Sequence, residues 1–455
     1  MDVFGSSGTR GVANEEITPA FVLQVVAAAG TVLEAPCMAV ARDTRSTGRM
    51  LENAAVSGLQ SVGCDVHRLG VIPTPGAQAY AAREGMPTVM ITASHNPPEY
   101  NGIKLIGASG TELSVSELEV VEEAFLSEID GARSWSRTGD EFAVEDATRQ
   151  YVEGVREAAD REKIADADLT VAIDPGHGAA SLTSPRLFRE LGCRVLTVNA
   201  QPDGRFPGRD PEPVETNLED LGRLVATTDA DVGIAHDGDG DRAIFFDETG
   251  RYIEGDAALA ALADAELGPR DATVAAVNVS QRLVDVCERT GADLELTPIG
   301  STYITSRIQQ LQAEGVSVPV AGEGNGGIYF PEYSLVRDGA YIAARFLELL
   351  ADRPASELVA PFGDYCNVRL KLTYETREQR EAMLEAVDRV AESEAADRNT
   401  TDGVRLDYGD GWVLARPSGT EPVIRIYAEA RGRERAEELA ARLYDAAEAA
   451  RDDAK

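Results

Sequence analysis

Asp237, Asp239 and Asp241 stand at alternate positions in HDGDGDRAIFFDE, with glycines between them that let the backbone fold tightly. Hard carboxylate oxygens converging on one point suit Mg2+ or Ca2+. Counting Asp237 as the first position of a calcium loop puts Glu248 at the twelfth, which fits. The sixth, however, is Arg242 where that loop needs glycine, and the flanking runs DADVGIA and AIFF read as strands rather than helices. The same spelling also admits an aspartyl nucleophile with a neighbouring acid, as in a phosphatase, or a plain acidic turn.

A second group lies in TASHNPPEYNGIK, which sets Ser94 beside His95 on a proline-stiffened corner and then reaches Lys104, the first lysine of the chain. Ser94 is not in G-x-S-x-G, and on an extended segment His95 would point away from it, so a serine hydrolase is disfavoured. A serine near an aspartate triad instead suggests a carrier of a phosphoryl group. Lysine, unlike arginine, can release its proton when its pKa is lowered, so Lys104 is a candidate acid or base.

Two loops complete the inventory. ARPSGTEPVIR gathers Arg416, Ser418, Gly419, Thr420 and Arg425, whose guanidinium forks, hydroxyls and backbone N–H groups suit a phosphate dianion. AGEGNGGIYF satisfies G-x-G-x-x-G, but Ile328 to Phe330 continue as a strand where a dinucleotide site needs a helix. That loop is read as presenting Glu323 and Asn325 to polar groups of a ligand.

The elements that must position these residues recur. CMAVARDTRSTG, LTVAIDPGHGAAS and ATVAAVNVSQ are each a strand-like run followed by a turn and a helix, a glycine near its end (Gly63, Gly192, Gly291), and a second strand. Strand, helix, strand in that order is a parallel βαβ unit. The expectation is an α/β protein of three related units with mixed or parallel sheets, and a C-terminal α+β unit built from NVRLKLTY, VRLDYGD, GWVLAR and VIRIYAEA. The boundaries are expected at 1–149, 150–252, 253–360 and 361–455.

Composition restricts the class. The 455 residues exceed one ordinary core. No apolar run is long enough for a membrane helix and the start, MDVFGSSG, has no leader character, so a cytoplasmic protein is expected. Five scattered cysteines without a CxxC pair suggest neither disulfides nor zinc. With 78 acidic against 43 basic residues the net charge is −35, which argues against nucleic acid or an anionic membrane as partner. Only Lys104, Lys163, Lys371 and Lys455 are lysines, and an acidic, lysine-poor surface suits a halophilic protein.

In order along the chain, FGSSGTRG, ITASHNPPEYNGIK, GIAHDGDGDR, GEGNGG and RPSGTEPVIR resemble the motifs of the α-D-phosphohexomutase family, and the resemblance spans nearly the whole length. It implies four domains around a central cleft. It further implies a phosphoserine at Ser94, Mg2+ held by Asp237, Asp239 and Asp241 together with Ser94, and charge neutralisation by Arg10 and Arg242. Lys104 would assist proton transfer, with His95 near the reacting oxygens. Glu323 and Asn325 would bind sugar hydroxyls. Arg416, Ser418, Gly419, Thr420 and Arg425 would hold the phosphate that is not transferred. The substrates implied are a hexose phosphate and a hexose bisphosphate, handled by a monomer or homodimer.

Two departures bear on the sugar. Asn325 and Gly327 replace a serine and a histidine common in the family, and Ser301 and Thr302 stand where many members have a basic residue. Gly327 is expected to leave space and remove a positive charge, favouring glucosamine phosphate over mannose or glucose phosphate. The charge generates a separate expectation: self-repulsion at −35 is screened by salt, so the melting temperature should rise by roughly 5 °C or more from dilute to molar KCl. A flat or falling salt profile in a thermal melt would remove the halophilic reading.

Overall fold

TVAID at Thr170–Asp174 and ATVAA at Ala272–Ala276 are buried along their whole length, as central strands covered on both faces must be. Such runs organise the molecule. The computed structural model describes residues 3–5, 8–127, 131–418 and 422–454, and its strands form four sheets.

The first sheet contains β1 (Thr9–Val12), β2 (Cys37–Arg42), β3 (Asp65–Val71), β4 (Thr88–Ile91), β5 (Tyr100–Ile106) and β6 (Glu141–Ala143), in the order β1-β5-β4-β2-β3-β6. The second contains β7 (Thr170–Asp174), β8 (Arg194–Thr197), β9 (Val232–Ala235), β10 (Ile244–Phe246) and β11 (Tyr252–Ile253), ordered β11-β10-β9-β7-β8. The third contains β12 (Ala272–Ala276), β13 (Asp293–Thr297), β14 (Ala321–Glu323), β15 (Gly327–Phe330) and β16 (Ser334–Arg337), ordered β13-β12-β14-β15-β16. The expected repeat is present. In every copy three parallel strands are followed by an antiparallel fourth: β5 after β4, β10 after β9, β15 after β14. Gly63, Gly192 and Gly291 all take left-handed φ values of 84°, 103° and 77° where their helices end.

The fourth sheet is antiparallel throughout: β17 (Cys366–Thr373), β18 (Asp397–Asn399), β19 (Val404–Asp407), β20 (Gly411–Pro417) and β21 (Val423–Ala430), ordered β17-β21-β20-β19-β18. Helices Arg377–Ser393 and Arg433–Asp453 cover it, and Met383, Val387, Leu439 and Leu443 fill its core. Among the described residues no helix is long and apolar enough to cross a membrane.

The turn from third to fourth strand is therefore the same place in each of the first three units. It carries Ser94 in the first, the aspartates in the second and Asn325 in the third. Loops beyond the carboxyl ends of parallel strands are where α/β sheets open a crevice.

One buried arginine holds the first of these turns. Arg45 is 1% exposed and spends every guanidinium N–H: Nε donates to Asp43 Oδ2 (3.1 Å), Nη1 to the carbonyls of Pro97 (2.6 Å) and Tyr100 (2.9 Å), and Nη2 to those of Ser94 (2.9 Å) and Asn96 (2.6 Å). Asp43 Oδ2 also accepts from Thr92 Oγ1, which in turn accepts from the Ser94 N–H at 2.8 Å. From the second unit, the Phe206 ring lies 5.3 Å from the guanidinium. So clamped, Ser94 adopts φ 49°, a left-handed conformation that serine avoids when free. A lysine offers one donor centre where this loop needs a planar fork. Arg45→Lys is expected to lower stability by about 3 kcal/mol and to raise amide hydrogen exchange at Ala93–Asn96 while β2 stays protected. Unchanged exchange in that loop would show that the clamp does not hold it.

Candidate active site

The aspartate loop runs from β9 to β10, so strands flank it on both sides and the helix-loop-helix of a calcium module is excluded. Asp237 and Asp239 are fully buried and Asp241 is 2% exposed. One carboxylate oxygen from each lies within 4.8 Å of the others. Asp239 Oδ1 and Asp241 Oδ1 are buried with no hydrogen-bond partner, and burial together with Asp241 and Asp239 pushes the Asp237 carboxyl well up. Carboxylate oxygens left without a partner in a group of three hard donors at this spacing could hold a divalent cation such as Mg2+.

Ser94 comes to this cluster from the first unit. Its Oγ donates to Asp237 Oδ2 at 2.9 Å. The approach depends on Gly238, where a side-chain carbon would stand 2.5 Å from the Ser94 carbonyl oxygen. The aspartyl-nucleophile reading of Asp237 gains nothing here, since that oxygen faces the serine. Thr74, which sequence reasoning missed, donates from Oγ1 to Asp239 Oδ2 at 2.6 Å and from its N–H to the Asp239 carbonyl at 2.8 Å.

His95 lies against Ser94, contrary to expectation, but not as its base. Because Ser94 is left-handed rather than extended, the ring does reach it, with Nδ1 3.3 Å from Oγ. That nitrogen, however, accepts from Arg242 Nη2 at 3.0 Å. The Arg242 charge, burial and Arg10 drive the imidazole pKa far down, so the ring is neutral and its lone pair is engaged. Arg10 approaches the serine turn from β1, donating to Asn96 Oδ1 at 3.1 Å.

At Lys104 the pKa moves the other way from the lowering that a base would need. Its ammonium is 3.3 Å from Glu112 Oε1 and 3.5 Å from both Asp239 Oδ2 and Asp241 Oδ2. Burial opposes the charge, but Asp239, Glu112 and Asp241 outweigh it and raise the pKa. Lys104 is held as a cation, not lowered into a base. Glu112 was missed because it lies in GASGTELS, a turn without a motif; its other oxygen accepts from Ser301 Oγ at 3.1 Å. Ser301 and Thr302, buried hydroxyl residues at the start of the helix Ser301–Ala313, thus face the first unit's acid.

In the third unit Glu323 ends β14, and Asn325 is turned into its own loop. Asn325 Oδ1 accepts from the Gly327 N–H at 2.9 Å and Nδ2 donates to Glu323 Oε2 at 3.4 Å. The open space expected at Gly327 is not there. The Arg337 stem fills it, with Cδ 2.6 Å from where a side-chain carbon on Gly327 would stand. Nor is positive charge removed, because Arg337 Nη1 donates to Glu323 Oε2 at 3.4 Å and Nη2 to Asp241 Oδ2 at 2.5 Å. Arg337 sits in SLVRDGAY, ten ordinary residues past the glycine loop, with no spelling to single it out.

The fourth unit holds its own cluster. Arg416 on β20 and Arg425 on β21 are directly opposed, and Lys371 on β17 is opposed to Arg425, so three cations form a row across three strands. Asp402 anchors one end, accepting from Arg416 Nε at 3.1 Å and from the Ile299 N–H at 3.1 Å. Like charges side by side are unfavourable unless an anion joins them. The Ser418 N–H donates to the Val423 carbonyl at 2.9 Å; Gly419 and Thr420 lie outside the described residues.

With this geometry in hand, comparison with known proteins is direct. The chain matches the phosphoglucomutase/phosphomannomutase alpha/beta/alpha domain I over residues 1–131, domain II over 149–250, domain III over 254–365 and the C-terminal domain over 370–446. It is 42% identical to a phosphoglucomutase/phosphomannomutase of Thermococcus kodakarensis, with 96% of each chain covered. It is 39% identical to a protein of Methanopyrus kandleri named "probable phosphoglucosamine mutase", with 97% of each covered. Its fold is similar to a solved phosphoglucomutase/phosphomannomutase family protein from Burkholderia thailandensis, with a TM-score of 0.86 at 26% identity over 99% of this chain and 97% of that one. Four domain matches in sequence order and relatives aligned end to end leave one conclusion: the chain belongs to the phosphoglucomutase/phosphomannomutase family and is an isomerase of the phosphohexomutase type.

Proposed function

We propose that the chain interconverts hexose 6-phosphate and hexose 1-phosphate by carrying a phosphoryl group on Ser94, through a hexose bisphosphate, with glucosamine phosphate as preferred substrate. The observation that carries this is Ser94 Oγ 2.9 Å from Asp237 inside a buried aspartate triad that Lys104, Arg242 and Arg337 surround. Phosphoryl transfer asks for positioning and charge neutralisation more than for covalent chemistry, and those are what this site offers.

In the first half-reaction the bond between phosphorus and Ser94 Oγ breaks as one forms to a sugar hydroxyl oxygen. The hydroxyl loses one proton and Ser94 Oγ gains one, so the exchange is balanced. The neutral His95, fixed by Arg242, and the protonated Lys104 border the path of that exchange, Lys104 giving a proton to Oγ and taking up the one that the hydroxyl releases. Asp237, Asp239 and Asp241 would hold Mg2+, which when bound supplies charge neutralisation at the phosphoryl oxygens. Glu323 receives sugar hydroxyls, while Arg416, Ser418 and Arg425, with Gly419 and Thr420 from the same loop, retain the phosphate that stays. The bisphosphate then turns around and returns its other phosphate to Ser94. A site that must accept both ends of a sugar is suited to a separate domain, such as the C-terminal one. The enzyme is read as cytoplasmic, acting as monomer or homodimer.

For the sugar, the support is that relatives in Methanopyrus kandleri and Methanosarcina acetivorans carry the name "probable phosphoglucosamine mutase". A second reading, a neutral glucose or mannose phosphate, is favoured by Arg337, whose charge beside Glu323 does not welcome an ammonium group.

Peptide mass spectrometry of the purified protein is expected to find phosphate on Ser94. Ser94→Ala should lose about a thousandfold or more in mutase activity, and Asp239→Asn should lose Mg2+ binding by calorimetry with its melting temperature retained. Phosphate on Asp237 alone would overturn the mechanism. For specificity, kcat/KM is expected to be highest for glucosamine 1-phosphate among the glucosamine, mannose and glucose 1-phosphates, and Glu323→Gln to lower all three by about tenfold or more. Glucosamine 1-phosphate as the poorest of the three would reverse the ranking, and an indifferent Glu323→Gln would remove the sugar loop from the site.

A further inference from the structure

Arg337 ends the edge strand β16, whereas Glu323 ends β14, and β15 lies between them. To touch Glu323, the arginine must cross the middle strand. It does so at Gly327, the residue paired with Glu323 in the β14–β15 register, because no side chain stands in its way there. Past that point its two terminal nitrogens divide: Nη1 goes to Glu323 Oε2 at 3.4 Å and Nη2 to Asp241 Oδ2 at 2.5 Å. One buried guanidinium, 9% exposed, thus bridges the sugar loop of the third unit and the metal loop of the second.

The residues after Arg337 fix it there. The Gly339 N–H donates to the Gly240 carbonyl at 3.2 Å, and a side-chain carbon on Gly339 would stand 2.3 Å from the Arg242 carbonyl oxygen, so this backbone lies directly on the metal loop. Asp338 accepts from the Tyr151 hydroxyl at 2.7 Å and from the Ala340 N–H at 3.0 Å, capping the helix Gly339–Leu350. With the two residues after it anchored, Arg337 has little freedom except in how its charge is shared between the two carboxylates.

We propose that Arg337 is a positioning residue that couples the two loops: it competes with the metal for Asp241 and orients Glu323 for the sugar, so each ligand's binding depends on how the guanidinium charge is divided. This rests on the reading of the triad and Glu323 given above. The signs follow from electrostatics. Removing a cation from Asp241 strengthens metal binding at the triad. Removing it from Glu323 leaves that carboxylate, among the described residues, to Asn325, and weakens sugar binding. Neutralising Glu323 puts the whole guanidinium charge on Asp241, and weakens metal binding from a distance.

The test is titration calorimetry with MgCl2, alongside steady-state kinetics with glucosamine 1-phosphate and glucose 1-phosphate, on the full chain. Arg337→Met is expected to bind Mg2+ about tenfold more tightly while KM rises about tenfold. A residue of merely structural importance would impair both together. Arg337→Lys keeps the charge but cannot fork, so its Mg2+ affinity should stay within about threefold of the parent while KM rises. Glu323→Gln should weaken Mg2+ binding about threefold, although Glu323 is not among the three aspartates. Weaker or unchanged Mg2+ binding in Arg337→Met overturns the proposal. Should that variant not fold, unaltered KM in Arg337→Lys or unaltered Mg2+ affinity in Glu323→Gln overturns it equally. A parent protein that neither binds Mg2+ nor isomerises a hexose phosphate would instead sink the reading of the site on which the coupling rests.

Discussion

Burying Asp237, Asp239 and Asp241 within 4.8 Å of one another is the costly step in this structure, and most of what surrounds them answers that cost. An isolated carboxylate taken out of water is penalised by several kcal/mol, so three in contact require compensation. It comes from separate parts of the chain. Lys104 arrives from β5 in the first unit, Arg242 from the aspartate loop itself, and Arg337 from β16 in the third unit. Asp241 shows the result: burial would raise its carboxyl, yet Arg337, Lys104 and Arg242 hold it well below the usual range. The charge cluster thereby links the first three units, beside a hydrophobic core that all three share.

The repeat explains how such a cluster could be assembled. Three units of the same topology place the same turn, between a parallel third strand and an antiparallel fourth, at a common crevice. The turns differ in what they present there, a serine from the first, carboxylates from the second, and a glutamate with an amide from the third. Backbone-to-backbone approach then holds them close. Gly238 admits the Ser94 carbonyl, and the Ala243 N–H donates to the Gly326 carbonyl at 3.1 Å. These contacts tolerate no side chain.

The fourth sheet is attached by different means. Glu429, fully buried on β21, accepts from the Gln281 N–H at 2.6 Å and from Ser280 Oγ at 3.0 Å, at the start of the helix Gln281–Thr290. Arg405 donates to the carbonyls of Val277 and Val279 while its guanidinium lies 4.2 Å from the Trp412 ring. The joint combines these oriented polar contacts with a small apolar cluster of Val277, Trp412 and Leu414. Such a joint specifies an angle between units at less cost to their separation than a shared core would.

What could be read along the chain alone was local. Strand periodicity and turn residues were enough for the α/β units and the antiparallel C-terminal sheet, because burial on two faces or one imposes those patterns directly. Short-range spelling was enough for the aspartate triad, since carboxylates at alternate positions that could hold a metal need no partner far along the chain to be recognised. The three-dimensional arrangement decided whatever depends on charges far apart in sequence. The Lys104 pKa is raised and not lowered because Asp239, Glu112 and Asp241 reach it across the fold. Gly327 is no void because Arg337 crosses the strand above it. Arg45 is one of many arginines until five acceptors close around it. Electrostatic and steric terms of this kind fall off with distance in space, not with separation along the chain, and no local pattern records them.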